Sequence, residues 1–294
     1  MNSSSSNFGF VYATSGRGYA DLAVVSAWSL REVAPEARIH LFTDTSIDCD
    51  HPFDHIETLH RPWFRPKFEA MIRSPFERTV YLDADTYIVA DISDIFDVLE
   101  HHEFAAAPVI RYNHKLNRRS WRKELPLSVP RYNCGVIGIQ NNPRVLAFLK
   151  QAEDTLISEQ LDHDQSMMRE MLFESDIRVV SLPYEYNFNE LTMLDVVSDR
   201  FAAPRVLHFM RMRDHLAKTG VDHLTVHHLL GPERSRFLEK HRQIDMTLGA
   251  TSIEPMPSVA ELLQAEATEL LNCLENKENG AEKAVTKALA LRTF

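Results

Sequence analysis

Cysteine is scarce. Cys49, Cys134 and Cys273 are the only three in 294 residues, and their wide spacing and odd number suggest neither a disulfide framework nor a zinc site. Reduced thiols are expected. No run approaches the roughly 20 apolar residues that a membrane span requires, and the opening from Met1 to Asn7 lacks the charged and apolar parts of a secretory signal. A cytoplasmic protein is the expectation. Positive charge is also in deficit: the formal net charge of −10 disfavours nucleic acid as a partner, because phosphate backbones are held by accumulated Lys and Arg. No internal repeat is visible.

What is present suits one α/β domain with a small extension, with 44% hydrophobic and 25% charged residues, enough to bury a full core without staples. The acidity is uneven. Between Arg111 and Arg131 the chain carries seven basic residues (Arg111, Lys115, Arg118, Arg119, Arg122, Lys123 and Arg131) against one acid, Glu124. Such a run reads either as a solvated loop face or as a peripheral contact with an anionic surface or acceptor.

Elements alternate from the start. The apolar, β-branched and aromatic run from Phe8 to Thr14 predicts a strand, and Ser15-Gly16-Arg17-Gly18 supplies turn chemistry after it. From Tyr19 to Val33 the apolar residues Leu22, Val25, Ala27, Leu30 and Val33 suit a helix that Pro35 stops. Arg38 to Thr43 predicts a second strand. Strand, helix, strand with a crossover indicates a parallel sheet. Further on, Pro66 to Ile72 reads as a helix, Thr79 to Leu82 as a buried strand, Tyr132 to Ile139 as another, and Val206 to Phe209 as a late short one. Asn142-Pro143 gives a cap and a first-turn proline for a helix through Leu156. After about Gly249 the character changes: Pro255 and Pro257 read as a linker, Ser258 with Glu261 as a capping box before a helix, and a further helical stretch is expected after Gly280.

The chemistry is concentrated in one triplet. A leaving diphosphate gathers negative charge that a divalent cation stabilises well, and Mg²⁺ or Mn²⁺ prefers hard oxygen ligands, so one or two carboxylates and an imidazole suffice. Two Asp at i and i+2 in the turn leaving a strand can reach one ion. The triplet alone has little weight, since the chain has three: Asp48-Cys49-Asp50, Asp83-Ala84-Asp85 and Asp162-His163-Asp164. Context separates them. Only Asp83 and Asp85 follow a fully apolar strand, Val80-Tyr81-Leu82, and precede a second apolar run, Tyr87 to Ala90, and the carboxyl end of a parallel strand is where open α/β sheets bind ligands. The bland reading is a pair of capping acids in a solvated turn.

The segment from Lys67 to Asp97, above all Tyr81 to Thr86 followed by Asp91-Ile92-Ser93-Asp94-Ile95-Phe96-Asp97, resembles the retaining glycosyltransferases of the glycogenin and bacterial lipooligosaccharide galactosyltransferase family. Five further segments agree in the same order: Phe10 to Tyr19, Tyr132 to Val136, Asp164-Gln165-Ser166, Leu182 to Asn187, and Val206 to Phe209. The resemblance implies a GT-A type nucleotide-diphospho-sugar transferase fold, a three-layer α/β/α domain with a mainly parallel sheet over residues 1–249, followed by a helical C-terminal extension over residues 250–294. It implies Asp83, Asp85 and His208 as ligands of Mn²⁺ or Mg²⁺. Ala13, Thr14, Ser15 and Tyr19 would line the base and ribose pocket, and Lys67 would reach the donor phosphates. Ala84 would line the donor site, Asn133 and Gly135 would border the transferred sugar, and Asp164 and Gln165 would stand near the anomeric carbon. The implied reaction moves a hexose-type sugar from a nucleotide diphosphate, with uridine the usual base, to a carbohydrate, lipid-linked or protein acceptor.

One departure tempers the match. The family's glycine and Lys-Pro pair after the metal-binding histidine are missing from His208 to Lys218, so the cation closing over the pyrophosphate would come from Arg211, Arg213 or Lys218. The C-terminal helices also leave room for a homo-oligomer. Two other functions compete: a sugar nucleotidyltransferase, which shares the sheet but needs a glycine-rich, basic triphosphate loop that Gly16-Arg17-Gly18 is too short to form, and a degenerate sugar-binding or scaffold protein, which would not need the Asp, Asp and His trio.

Overall fold

The structure is a computed structural model that describes residues 7–63, 65–111, 113–198, 200–220, 224–250 and 258–275. The Pro255–Pro257 linker and the stretch after Gly280 fall outside the described residues. The chain forms two compact units: residues 1–189 with 204–225, and residues 190–203 with 226–294.

The first unit is built on a seven-stranded sheet. Its strands are β1 (Phe8–Thr14), β2 (Ile39–Thr43), β3 (His55–Thr58), β4 (Arg78–Leu82), β6 (Phe104–Pro108), β7 (Tyr132–Gln140) and β8 (Val179–Ser181), in the order β3-β2-β1-β4-β7-β6-β8. β7 alone runs against the rest, pairing antiparallel with both β4 and β6. β1 lies between β2 and β4, so the chain order reverses there and opens a crevice at the carboxyl ends of β1 and β4.

Both faces of the sheet are covered, which is why β1, β4 and β7 are apolar almost without alternation. On one face Val11, Tyr81, Ile137 and Ile139 pack into a core with α2 (Lys67–Ile72), α4 (Pro143–Ser158) and α5 (Gln165–Glu174), through Phe68, Met71, Leu149, Met168 and Met171. On the other, α1 (Arg17–Val33) and α3 (Ile95–Val98) close the layer: the Phe96 ring stacks against Phe8 and Phe10, and the Tyr12 hydroxyl bonds the buried Ser26 of α1. A three-layer α/β/α arrangement with a mainly parallel sheet results.

Helix ends follow local chemistry. The Asn142 side chain accepts hydrogen bonds from the Arg144 and Val145 N–H groups, with Pro143 in the first turn of α4. Gly16 precedes α1 at φ +85°, a conformation that glycine adopts without steric penalty.

A second, two-stranded sheet positions the site. β5 (Thr86–Ile88) pairs antiparallel with β9 (Val206–His208), with Thr86 opposite His208. α1 anchors β5 through two buried serines: Ser26 bonds the Thr86 hydroxyl at 2.9 Å and Ser29 accepts the Ile88 N–H at 2.9 Å. After β9 comes α6 (Met212–Thr219). No helix of the described residues is long and apolar enough to cross a membrane.

The second unit contains α7 (Val226–Leu230), α8 (Pro232–Ile244) and α9 (Val259–Glu275). Arg234 of α8 makes a two-bond pair to Asp195 at 2.6 and 2.7 Å. Before α9, the Ser258 N–H donates to Glu261 at 2.6 Å while the Glu261 N–H donates to the Ser258 hydroxyl at 3.2 Å, which is the expected reciprocal cap.

Candidate active site

At the carboxyl end of β4 the chain turns from Leu82 into Asp83, whose N–H donates to the Gly135 carbonyl at 2.8 Å and whose carbonyl accepts from the Thr86 hydroxyl at 2.7 Å. The turn is thus fixed at both ends. β5 leaves it to pair with β9, and the Phe209 N–H donates to the Asp85 carbonyl at 2.9 Å. This register brings residues far apart in sequence together: Asp83, Asp85 and His208 each offer a ligand atom, and these atoms lie within 4.8 Å of one another. Among the described residues no other group of three His, Cys, Asp or Glu side chains does so. Asp48 instead pairs with Arg17 on the surface, which sets that triplet apart from the one that meets His208.

The donor set fits a divalent cation. Two carboxylates and one imidazole suit Mn²⁺ or Mg²⁺ with open positions left for phosphate oxygens. His208 has Nε2 at 3.2 Å from Asp85 Oδ1, while its Nδ1 stands 2.9 Å from Asn187 Oδ1. Burial works to lower the His208 pKa, but the Asp85 carboxylate outweighs it and holds the imidazole above its ordinary value. Burial likewise pushes Asp85 upward, and His208 wins by holding it below the usual carboxylate range.

Lys67 is not an exposed lysine. It is 4% exposed, at the start of α2, and Nζ lies 3.0 Å from Asp83, 3.5 Å from Asp164 and 2.9 Å from the Cys134 carbonyl. Burial disfavours its charge, yet the two carboxylates prevail and raise its pKa. Asp164, 3% exposed, does not cap α5 with its side chain: the carboxylate turns inward to Lys67, which holds its pKa down against the effect of burial. Gln165 opens α5, and its Oε1 accepts from Arg131 Nε at 3.2 Å.

Two adjoining cavities share Arg65, Lys67, Asp83 and Asp85. One, of about 220 Å³, is walled by Ala13, Thr14, Ser15, Tyr19, Trp63 and Ala84. Tyr19 is half exposed there rather than packed in the core. Ser15 is already engaged, donating to Asp44 at 2.6 Å, and Asp44 also accepts the Gly16 N–H at 2.7 Å, so this carboxylate braces the loop. The other cavity, of about 320 Å³, is walled by Asn133, Asp164, Gln165, His208 and, further out, Arg111, His114, Asn117, Asn189 and Met210.

Two expected residues line neither cavity. Gly135 lines neither cavity; what comes close to its Cα is the His208 ring, since a Cβ there would stand 2.2 Å from His208 Cε1. Arg211 lines neither cavity, its side chain is 84% exposed, and it pairs with Asp214 at 2.9 Å. Of the basic residues after His208, Arg213 stands near the first cavity, its guanidinium 5.8 Å from the centre of the Tyr19 ring. Sequence reasoning did not single out Asp44, and took Arg131 only as part of the basic segment. Neither role is marked locally, because Ser15 and Gln165, the partners that reveal them, lie about 30 residues away.

The geometry agrees with three comparisons. Residues 70–219, just over half of the chain, match the nucleotide-diphospho-sugar transferase family. By structure the chain is similar to the galactosyltransferase LgtC in complex with donor and acceptor sugar analogs, at a TM-score of 0.52 and 14% identity, covering 84% of this chain and 97% of that one. It is also similar to the glycosyltransferase GlyE of Streptococcus pneumoniae TIGR4, at a TM-score of 0.50 and 17% identity, covering 80% of this chain but only 62% of that one. At such identities the likeness is one of fold. No curated protein sequence matches the chain. The matched segment contains β4, the Asp83 and Asp85 turn and β9 with His208, and with that sequence match and this sheet the chain belongs to the nucleotide-diphospho-sugar transferase family, the glycosyltransferases of GT-A fold.

Proposed function

We propose that the chain transfers a hexose-type sugar from a uridine diphosphate donor, in a divalent-metal-dependent reaction that retains the anomeric configuration. The observation that carries this reading is the convergence of Asp83, Asp85 and His208 at the carboxyl end of β4, where two cavities meet. A Mn²⁺ or Mg²⁺ ion held by these three side chains would neutralise the charge that develops on the leaving diphosphate. The smaller cavity suits the nucleoside: Tyr19 offers a ring face for the base, Ala13 and Thr14 stand at the end of β1, and Ala84 permits close approach of the backbone. Lys67 adds a fixed positive charge beside the same point, buried and already oriented by Asp83 and Asp164.

The larger cavity suits the transferred sugar and the acceptor. Asp164 Oδ2 is buried with the Lys67 ammonium 3.5 Å away and no closer partner, so it keeps accepting capacity for a sugar hydroxyl. Its pairing with Lys67 disfavours it as the general base that inversion needs, and the family resemblance implies same-face attack. In that step the acceptor oxygen bonds the anomeric carbon as the bond from that carbon to the diphosphate oxygen breaks, and the acceptor proton passes to the departing phosphate. Gln165, oriented by Arg131, would place its amide near the developing positive charge.

Arg111 and His114 give the outer wall of this cavity a basic character, so we read the acceptor as carrying an anionic group. The rest of the basic segment is not all available for a surface contact, since Arg122 and Lys123 pair with Glu159 and Glu174. Incubation with Mn²⁺ and a panel of nucleotide sugars tests the reaction class. Release of the nucleoside diphosphate supports transfer or its hydrolytic side reaction. Exchange of pyrophosphate into a nucleotide sugar would indicate a nucleotidyltransferase, and no turnover with any donor would indicate a binding protein.

A further inference from the structure

The hydrogen bonds behind His208 run through four residues on three segments of the first unit, and their direction can be worked out from one end. A backbone N–H only donates. That of Gly135 meets the Asn133 side chain at 2.9 Å, so the atom it meets is the amide oxygen. The same oxygen lies 3.0 Å from the Asn187 amide, and the Asn133 carbonyl lies 3.3 Å from the same Asn187 atom. Two acceptors face that atom, so it is the NH₂ group, and the other end of the Asn187 amide must be oxygen. This oxygen is 2.9 Å from His208 Nδ1. Facing an acceptor, Nδ1 carries the proton; Nε2 lies 3.2 Å from the Asp85 carboxylate, which can hold a second proton there until a cation takes its place, and the ring then presents the Nε2 lone pair.

We propose that Asn187 is a positioning residue that fixes His208 in the Nδ1–H tautomer and so presents the Nε2 lone pair to the cation site formed with Asp83 and Asp85. The proposal rests on the metal role given to His208 above. Three features hold the relay in place. Asn187 is 1% exposed, so bulk water does not compete for the bond. The Phe188 N–H donates to the Val206 carbonyl at 2.8 Å and the His208 N–H donates to the Phe188 carbonyl at 3.0 Å, which locks the Asn187 segment alongside β9. Gly135 gives the imidazole room against the β7 backbone, because a Cβ would stand 2.2 Å from Cε1 and 2.5 Å from Nδ1. The opposite tautomer would place N–H on Nε2, where it blocks a metal, and would leave two acceptors facing each other at Nδ1. Partners that orient a ligating histidine in this way commonly change metal affinity by about 10- to 100-fold when removed.

The test has one arm that needs no metal and no substrate. Long-range ¹⁵N–¹H NMR of metal-free Asp85→Ala protein in alkaline buffer, where the competing carboxylate is gone and the imidazole is neutral, is expected to show a protonated Nδ1 and an unprotonated Nε2 for His208. The reverse pattern overturns the proposal. In the second arm, Mn²⁺ binding is followed by electron paramagnetic resonance in folded variants. Asn187→Leu, which keeps the bulk and loses the acceptor, is expected to weaken binding about 10- to 100-fold. Wild-type affinity in Asn187→Leu overturns the proposal. If the wild type binds no Mn²⁺, the metal reading of the site fails, and the NMR pattern still decides the tautomer.

Discussion

The two walls of the site are built differently. On the donor side, Lys67, Asp83, Asp85 and His208 stand on or directly beside strands and α2, are mostly buried, and bond one another. On the outer side, Arg111, His114 and Met210 lie in connecting segments and are exposed. Chemistry shared by every nucleotide-diphosphate donor can be placed on rigid elements, whereas a surface that selects one acceptor belongs on loops. Substitutions on the donor wall should therefore abolish the reaction, and substitutions on the outer wall should only change how well an acceptor binds.

The largest effect is expected at the two carboxylates proposed to hold the cation. Asp85→Asn removes one charged ligand and leaves the sheet intact, so nucleoside diphosphate release should fall at least about 100-fold while the thermal melt of the metal-free protein stays near that of the wild type. A steady-state rate comparable to wild type would remove Asp85 from the cation site. Gly135→Ala should come next. Its methyl group would occupy the His208 ring position, so the imidazole must move, with a weaker response to Mn²⁺ and a stability loss of about 1–3 kcal/mol; titration of activity with Mn²⁺, alongside urea unfolding, measures both. An unchanged Mn²⁺ requirement would show that the ring does not need that contact.

Glu69 tests whether the donor wall depends on the loop before α2. Its buried carboxylate accepts the His60 and Arg61 N–H groups at 2.6 and 3.0 Å and pairs with Arg73. Burial raises its pKa, but these bonds prevail and depress it. The sign follows directly: a carboxylate more acidic in the folded state adds stability above its unfolded pKa, about 4.3, and that stability is lost as pH falls through the lower folded value. Glu69→Gln should therefore cost about 1–3 kcal/mol at neutral pH, and the gap from wild type should narrow in acid. A constant gap down to acid unfolding would mean that the charge of Glu69 contributes nothing. The smallest effect is expected on the outer wall. Arg111→Ala should raise the acceptor KM several-fold, more strongly at low salt, with donor affinity unchanged; a matching loss of donor affinity would place Arg111 on the wrong side of the comparison.

The same contrast governs what could be read from sequence. β1, β4 and β7 are continuous apolar runs because they are covered on both faces, and their expected limits agree with the structure to within a residue. The reciprocal cap at Ser258 and the Asn142 cap were legible because each is a local bond over two or three residues. β6 was not, since Phe104-Ala105-Ala106-Ala107-Pro108 has little intrinsic strand preference and is held by its neighbours β7 and β8. β3 is a short, largely exposed edge strand with no apolar alternation to reveal it. Within the site, the Asp83 and Asp85 turn could be read from its flanking strands. The bond from His208 to Asn187, and the approach of that ring to Gly135, exist only once β9 is paired with β5 and set beside β7. Arg211 shows the same limit, since sequence position alone does not say that its side chain turns to Asp214 while Arg213 reaches toward Tyr19.

The most direct measurement of the central claim is calorimetric titration of uridine diphosphate into the protein with Mn²⁺, and again with EDTA in its place, for wild type and for Asp85→Asn. Binding that is strong with Mn²⁺, lost with EDTA and lost in the variant is the expected result. Equal binding under all these conditions would contradict the account, because the nucleotide would then be held without the cation that Asp83, Asp85 and His208 are assigned to carry.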